Sequence, residues 1–295
     1  MVASWFQSVH AAWMWGLVPL AALCIAPVSS QAQTVPPTAI LLHPDMVKDA
    51  EAARWERQLY ISPTGLTADN AAQPGQAQLP RFAASLSSVQ WLGLPPDDGL
   101  TLAIEQDYWI VSWTQRPPEA SVIVLTFDTP PKLMSEVGPV EAVGDGSLFL
   151  PASLAVTKGE KIRYEPQTFK NTVGYWAGKQ DSAEWQFVCS RVGSYNVAIL
   201  QGCGAGQGGS RAKLSVTAAD QPATDQPATD QPTAAAVGLE FDVIETGHFQ
   251  NFQWRHLGTL DIAHSGLHSL KIEPITIKQT GMVDIRAVQL IPVPQ

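Results

Sequence analysis

Glu184-Trp185-Gln186-Phe187-Val188-Cys189, then Arg191-Val192-Gly193, then Tyr195-Asn196-Val197-Ala198-Ile199-Leu200-Gln201 is the stretch that decides the fold. Apolar and polar residues alternate on both sides of a glycine turn. A period of two is that of a strand with one buried and one solvated face. Leu270-Lys271-Ile272-Glu273 repeats the pattern. Working outward, strands are predicted at residues 147–150, 161–164, 173–176, 184–189, 195–201, 211–216, 239–244, 257–262, 269–273 and 283–291. Short strands at regular spacing with turn residues between them indicate a β-sandwich or jelly roll.

Toward the N-terminus, Val89-Gln90-Trp91-Leu92, Trp109-Ile110-Val111-Ser112-Trp113 and residues 121–127 are also β-branched and aromatic runs. The last is apolar nearly throughout, as a strand buried on both faces would be. Residues 45–60 predict a short helix: Asp45 is placed to cap it, and Met46, Ala50, Ala52, Trp55 and Leu59 recur at near-helical spacing. Residues 62–78 are rich in Pro, Gly, Ala, Asn and Gln and read as a loop. The predicted fold class is therefore mainly β, a C-terminal jelly-roll sandwich preceded by a smaller β-rich region with one short helix.

The predicted organisation is a signal peptide at 1–32, an N-terminal region at 33–145 with its β-rich part at 88–131, and the jelly roll at 146–295. In the leader, an apolar run at 11–28 precedes Ser30-Gln31-Ala32, a small-x-small cleavage pattern. The rival is an uncleaved anchor, but Pro19 and Pro27 interrupt the run. After cleavage the chain would not span a membrane and would be secreted or periplasmic. Asp220-Gln221-Pro222-Ala223-Thr224 opens a repeated five-residue unit. Such Pro-rich polar sequence cannot bury enough surface to fold, and 217–237 reads as a disordered insertion at a hairpin tip.

The chain carries 18 Lys and Arg and a formal net charge of −9, and no cluster of basic residues suits nucleic acid. Beyond the leader there are two cysteines, Cys189 and Cys203. If the strands at 184–190 and 194–202 form a hairpin, Cys189 falls near Asn196 and Cys203 near Ser182, so a bridge and two free thiols both stay open. No nucleophile elbow, zinc motif, P-loop or dinucleotide fingerprint is present. Residues 202–210 are glycine-rich but join strand to strand, with no helix to hold a phosphate. Either a tight turn or a loop that lets a ligand approach bare backbone fits them. The chain is expected not to be an enzyme.

Binding has better material. Tyr175, Trp176, Trp185, Phe249, Phe252 and Trp254 lie among Asn171, Gln201, His248, Gln250 and Asn251. Aromatic faces with amide partners suit sugars, which present a flat C–H face and a ring of hydroxyls. The predicted ligand contacts are Tyr175, Trp176, His248, Gln250, Asn251 and Trp254, with carbohydrate as partner and a protein partner as the alternative.

Several motifs in order carry a resemblance: Arg163-Tyr164-Glu165, Lys170-Asn171-Thr172-Val173-Gly174-Tyr175-Trp176, Trp185-Gln186-Phe187, Gln201-Gly202-Cys203-Gly204 and Thr246-Gly247-His248-Phe249-Gln250-Asn251-Phe252. Together they resemble the galactose-binding-like module appended to secreted bacterial α-L-fucosidase-like glycoside hydrolases and sulfatases. The resemblance implies a jelly roll, a carbohydrate ligand and, in some such sandwiches, a structural Ca²⁺; no other cofactor is expected. A fucosidase barrel does not fit in the remaining length, so hydrolase activity is not carried over. A docking module left from a larger enzyme and a cryptic hydrolase are the alternatives.

Overall fold

The computed structural model describes residues 34–64, 73–96, 99–115, 122–218 and 237–294. The predicted leader, the whole repeat and most of the predicted insertion at 217–237 lie outside them. Residues Thr34–Gln295 form one compact unit. The described elements are strands and three single 3₁₀ turns, at Pro44–Met46, Met134–Glu136 and Ala152–Leu154.

The N-terminal strands are β1 (Ile40–Leu41), β2 (Ala50–Trp55), β3 (Gln58–Pro63), β4 (Gly75–Pro80), β5 (Leu86–Trp91), β6 (Leu100–Ile104), β7 (Tyr108–Trp113) and β8 (Ile123–Phe127). One sheet runs β1-β2-β3-β8-β5 and a smaller one β4-β7-β6. Strand β8 is central, which is why nearly every side chain in it is buried. Trp91, Trp109, Trp113, Phe82 and Phe127 fill the core between these sheets, in edge and stacked pairs.

The helix predicted at 45–60 is not formed. A single 3₁₀ turn at Pro44–Met46 leads into the β2–β3 hairpin instead. Asp49 and Glu56 take left-handed φ values of 61° and 49°, which break any helix on either side of β2. Alanine-rich sequence favours a helix locally, but Leu59 and Ile61 alternate into the core, and that burial decides.

The second half contains β9 (Val140–Glu141), β10 (Leu148–Pro151), β11 (Val156–Lys158), β12 (Arg163–Glu165), β13 (Thr172–Gly174), β14 (Ser182–Cys189), β15 (Gly193–Gly202), β16 (Arg211–Ala218), β17 (Val237–Asp242), β18 (Gln253–Ile262), β19 (Gly266–Thr276) and β20 (Asp284–Pro292). They form two mainly antiparallel sheets of a jelly-roll sandwich. One runs β12-β13-β20-β15-β18 with β10 beside β20; the other runs β11-β14-β19-β16-β17 with β9 beside β14. Tyr195, Val197 and Ile199 from the first sheet and Trp185, Phe187, Leu270 and Ile272 from the second are buried in one core.

A hairpin between residues 184–190 and 194–202, the condition on which the cysteine placement rests, is not formed. Strand β14 pairs with β19, Trp185 opposite Leu270, whereas β15 pairs with β18 and β20. The chain crosses from one sheet to the other at Arg191-Val192-Gly193. Both cysteines are free and buried. Strands β16 and β17 pair with Val216 opposite Val237, so residues 219–236 join neighbours in one sheet.

The two halves meet closely. The Leu86 amide donates to the Pro166 carbonyl at 2.6 Å, and Gln106 Nε2 to the Thr157 carbonyl at 2.7 Å. The buried Arg81 donates to the Ser153 carbonyl and lies 5.2 Å from the Tyr164 ring centre. Among the described residues no helix is long and apolar enough to cross a membrane.

Candidate functional site

Strands β15, β18 and β20 end or begin at one edge of the sandwich, where Gly202 pairs with Asp284 and Gln201 with Gln253. The connections from these strands converge there with the segment after β13. Between them lies a cleft of about 670 Å³. Arg163, Tyr175, Gln207, Phe249 and Gln250 line it, and Glu165, Lys170 and Asp284 lie deeper on it. Glu105, from the turn between β6 and β7, also reaches it, so the N-terminal region contributes to the wall.

Tyr175 follows β13 directly and has a left-handed φ of 61°. That conformation costs a bulky residue about 1–3 kcal/mol and persists only where surrounding structure enforces it. The ring is 45% exposed, and the Arg163 guanidinium sits 3.6 Å from its centre. A cation against an aromatic face holds the ring in place at the cleft surface.

Phe249 owes its position to glycines. A Cβ on Gly202 would lie 1.9 Å from the Phe249 carbonyl oxygen, and one on Gly204 would lie 2.8 Å from its ring. The glycine-rich stretch thus lets the β17–β18 connection lie against the end of β15. Thr246 ties the two together, accepting from the Cys203 amide at 2.9 Å.

Tyr175, Trp176 and Gln250 of the six predicted contacts border the cleft, and His248, Asn251 and Trp254 do not line it. Trp176 is fully buried, its indole N–H donating to the Val173 carbonyl at 3.0 Å, so it backs the cleft and offers no face to a ligand. His248 and Asn251 hold the loop's own shape: His248 Nδ1 accepts from the Gln250 amide, and Asn251 Nδ2 donates to the Thr246 carbonyl. Trp254 lies on the outer face of its sheet, 46% exposed and 6.5 Å from the Phe149 ring. It is no part of the cleft.

Charged residues outside the six predicted contacts form the cleft floor. Glu165 Oε2 and Asp284 Oδ1 lie 2.9 and 2.8 Å from the place a Cβ on Gly174 would occupy. Lys170 Nζ pairs with Glu165 Oε1. Arg286 is spent on the Phe169 and Lys170 carbonyls and on the Phe252 ring. Asp284 accepts no hydrogen bond from any described residue. Burial first, and the Glu165 carboxylate second, push its carboxyl up to about 8, against the pull of Lys170 and Arg286.

Among the described residues, nothing around Cys203 activates its thiol. Burial, then the carboxylates of Glu245 and Asp284, push its thiol up to about 11, so the thiolate is scarce at neutral pH. Nor does the acidic pair at the cleft floor fit a Ca²⁺, which takes roughly six to eight oxygens. Among the described residues no three His, Cys, Asp or Glu are grouped to hold a metal ion, and the converging pair already carries the Lys170 ammonium.

No protein-family model matches the chain, and no curated protein matches it. Solved structures similar to it include an isomalto-dextranase from Arthrobacter globiformis T6, at 16% identity over 82% of this chain and 36% of that one, with a TM-score of 0.35. A family 35 carbohydrate-binding module from Clostridium thermocellum is 12% identical over 50% of this chain and 98% of the module, with a TM-score of 0.34. An α-L-fucosidase from Vibrio sp. strain EJY3 is 12% identical over 82% of this chain and 39% of that one, with a TM-score of 0.32. The chain spans little more than a third of the dextranase's length.

Proposed function

We propose that this chain is an exported, non-catalytic carbohydrate-binding protein that holds a glycan in the loop-end cleft. The observation that carries this is Tyr175, a strained, exposed aromatic fixed at the rim of a ligand-sized cleft. Its ring offers a face to a pyranose, while Gln207 and Gln250 supply amide donors and acceptors. The order of sequence motifs supports the same reading.

Binding is favoured over turnover by the carboxylates. Catalytic pairs in glycosidases stand roughly 5–9.5 Å apart with the scissile bond between them. Glu165 and Asp284 sit beside the same backbone position at the cleft floor, and Glu165 is held by Lys170, an arrangement that favours a buried charge cluster over a free acid–nucleophile pair. A glycan array followed by affinity electrophoresis tests the reading. Retardation by at least one polysaccharide, lost in Tyr175→Ala, is expected; no retardation across neutral, cationic and sulfated polysaccharides would sink it. Export is tested by sequencing the mature N-terminus, which should begin at Gln33.

A docking module is the second reading, and a separate surface favours it: Phe149, Trp254 and Ile291 are exposed on β10, β18 and β20 of the same sheet.

A further inference from the structure

Asp284 is 6% exposed, borders the cleft, and is the one buried carboxyl there with neither a hydrogen bond nor an ion pair among the described residues. A buried polar group without a partner costs stability, and a carboxyl costs more than most. In a cleft, such a group implies that its partner arrives with the ligand.

The surroundings set that partner's charge. Three basic side chains line the cleft, but two are committed: Lys170 to Glu165, and Arg163 to the Tyr175 ring and the Lys161 carbonyl. Arg286, behind Asp284 on β20, is committed to carbonyls and the Phe252 ring. Among the described residues, the carboxyls of Glu105, Glu160 and Asp284 have no ion-pair partner; of the cations on the lining, Lys161 and Arg163 have none either, and Arg163 is held on the Tyr175 ring. The acid groups without an ion-pair partner thus run from the buried floor, at Asp284, to the rim, at Glu105 and Glu160.

We propose that the ligand unit seated in this cleft bears a primary ammonium, as an amino sugar with a free amine does, and that Asp284 is the residue that selects it. This rests on the carbohydrate reading above and deepens it. The ammonium pairs with the Asp284 carboxylate, while Glu105 and Glu160 attract it from the rim. Because Asp284 holds its proton before binding, the ammonium displaces that proton to the solvent. Lys170 and Glu165 stay paired throughout.

The test is titration calorimetry with β-1,4-linked glucosamine and galactosamine oligomers and their N-acetylated counterparts, at pH 6.5 in two buffers of different ionisation heat. The wild type should prefer the free amines at least tenfold and release up to one proton on binding. Asp284→Asn should lose both the preference and the proton release. An equal or stronger response to the N-acetylated oligomers, or binding of amines with no proton released, overturns the inference even if Asp284→Asn fails to fold. Binding of neutral glycans alone overturns this inference and leaves the carbohydrate reading standing; binding of nothing overturns both.

Discussion

The Arg163 guanidinium stacks on the Tyr175 ring at 3.6 Å, and the Tyr175 backbone is left-handed at that point. Arg163 covers one face of the ring, so the ring has a single face left for a ligand. Truncating an anchoring aromatic typically costs about 2 kcal/mol of binding, roughly thirtyfold in affinity. Tyr175→Ala should lose at least that. Tyr175→Gly separates function from stability: glycine accepts the left-handed backbone freely, so the variant should melt no lower than Tyr175→Ala while binding as poorly. A Tyr175→Gly protein that binds normally would show that the ring is not used.

Phe249 tests the glycine-rich loop. A methyl group on Gly202 would meet the Phe249 carbonyl oxygen at 1.9 Å, and backbone cannot swing aside as a side-chain tip can. Gly202→Ala should destabilise the protein by about 2 kcal/mol or more in denaturant melts and weaken glycan binding. A neutral effect on both would mean that the loop seats itself some other way.

Asp284 makes a pH prediction. Its folded-state pKa, about 8, stands above the ordinary value of 3.8. The folded protein therefore holds an extra proton between those values. The associated stability is fully present below the unfolded pKa and is lost as pH rises toward 8, by at most about 1.4 kcal/mol per pH unit for one group. Asp284→Asn should flatten this slope and melt above the wild type at pH 8.5. Glu136 has the opposite sign: its hydrogen bonds with Arg54 hold it at about 2, so its contribution is lost only in acid. Melting temperatures from pH 3 to 9 on both proteins check the pair of slopes.

Trp254 separates the cleft from the outer sheet face. Its ring packs edge-on against Phe149 on that face. Trp254→Ala should leave glycan affinity within about twofold of wild type, with at most about 1.5 kcal/mol of stability lost with the aromatic pair. A large loss of affinity would move the site to the outer face, where the docking reading also lies.

The sandwich was legible where one face of a strand is dry and the other wet. Trp185 and Phe187 alternate with Gln186 and Val188, and Leu270 and Ile272 with Lys271 and Glu273; the structure buries the first of each set more deeply. Pairing was not legible. Consecutive strands β14 and β15 are separated by a three-residue turn that would suit a hairpin, yet they belong to opposite sheets. Residues 45–60 misled because alanines serve a helix locally and a close-packed strand globally, and only the partner strands choose. In the site, Tyr175 was visible as an aromatic beside a turn, but Trp176 next to it fell inside the core. Asp284 gave no signal because its meaning lies in Glu165 and Gly174, far away in sequence. Glycines 202 and 204 stood out, but Phe249, the reason for them, is long-range.

Amide chemical-shift mapping of the protein titrated with the strongest glycan from the array locates the bound glycan on the molecule. Saturable shifts are expected at Tyr175, Gly204, Gln250, Gly281 and Asp284, with Phe149 and Trp254 unmoved. Shifts confined to the outer face around Phe149 and Trp254, or none with any glycan, would contradict it.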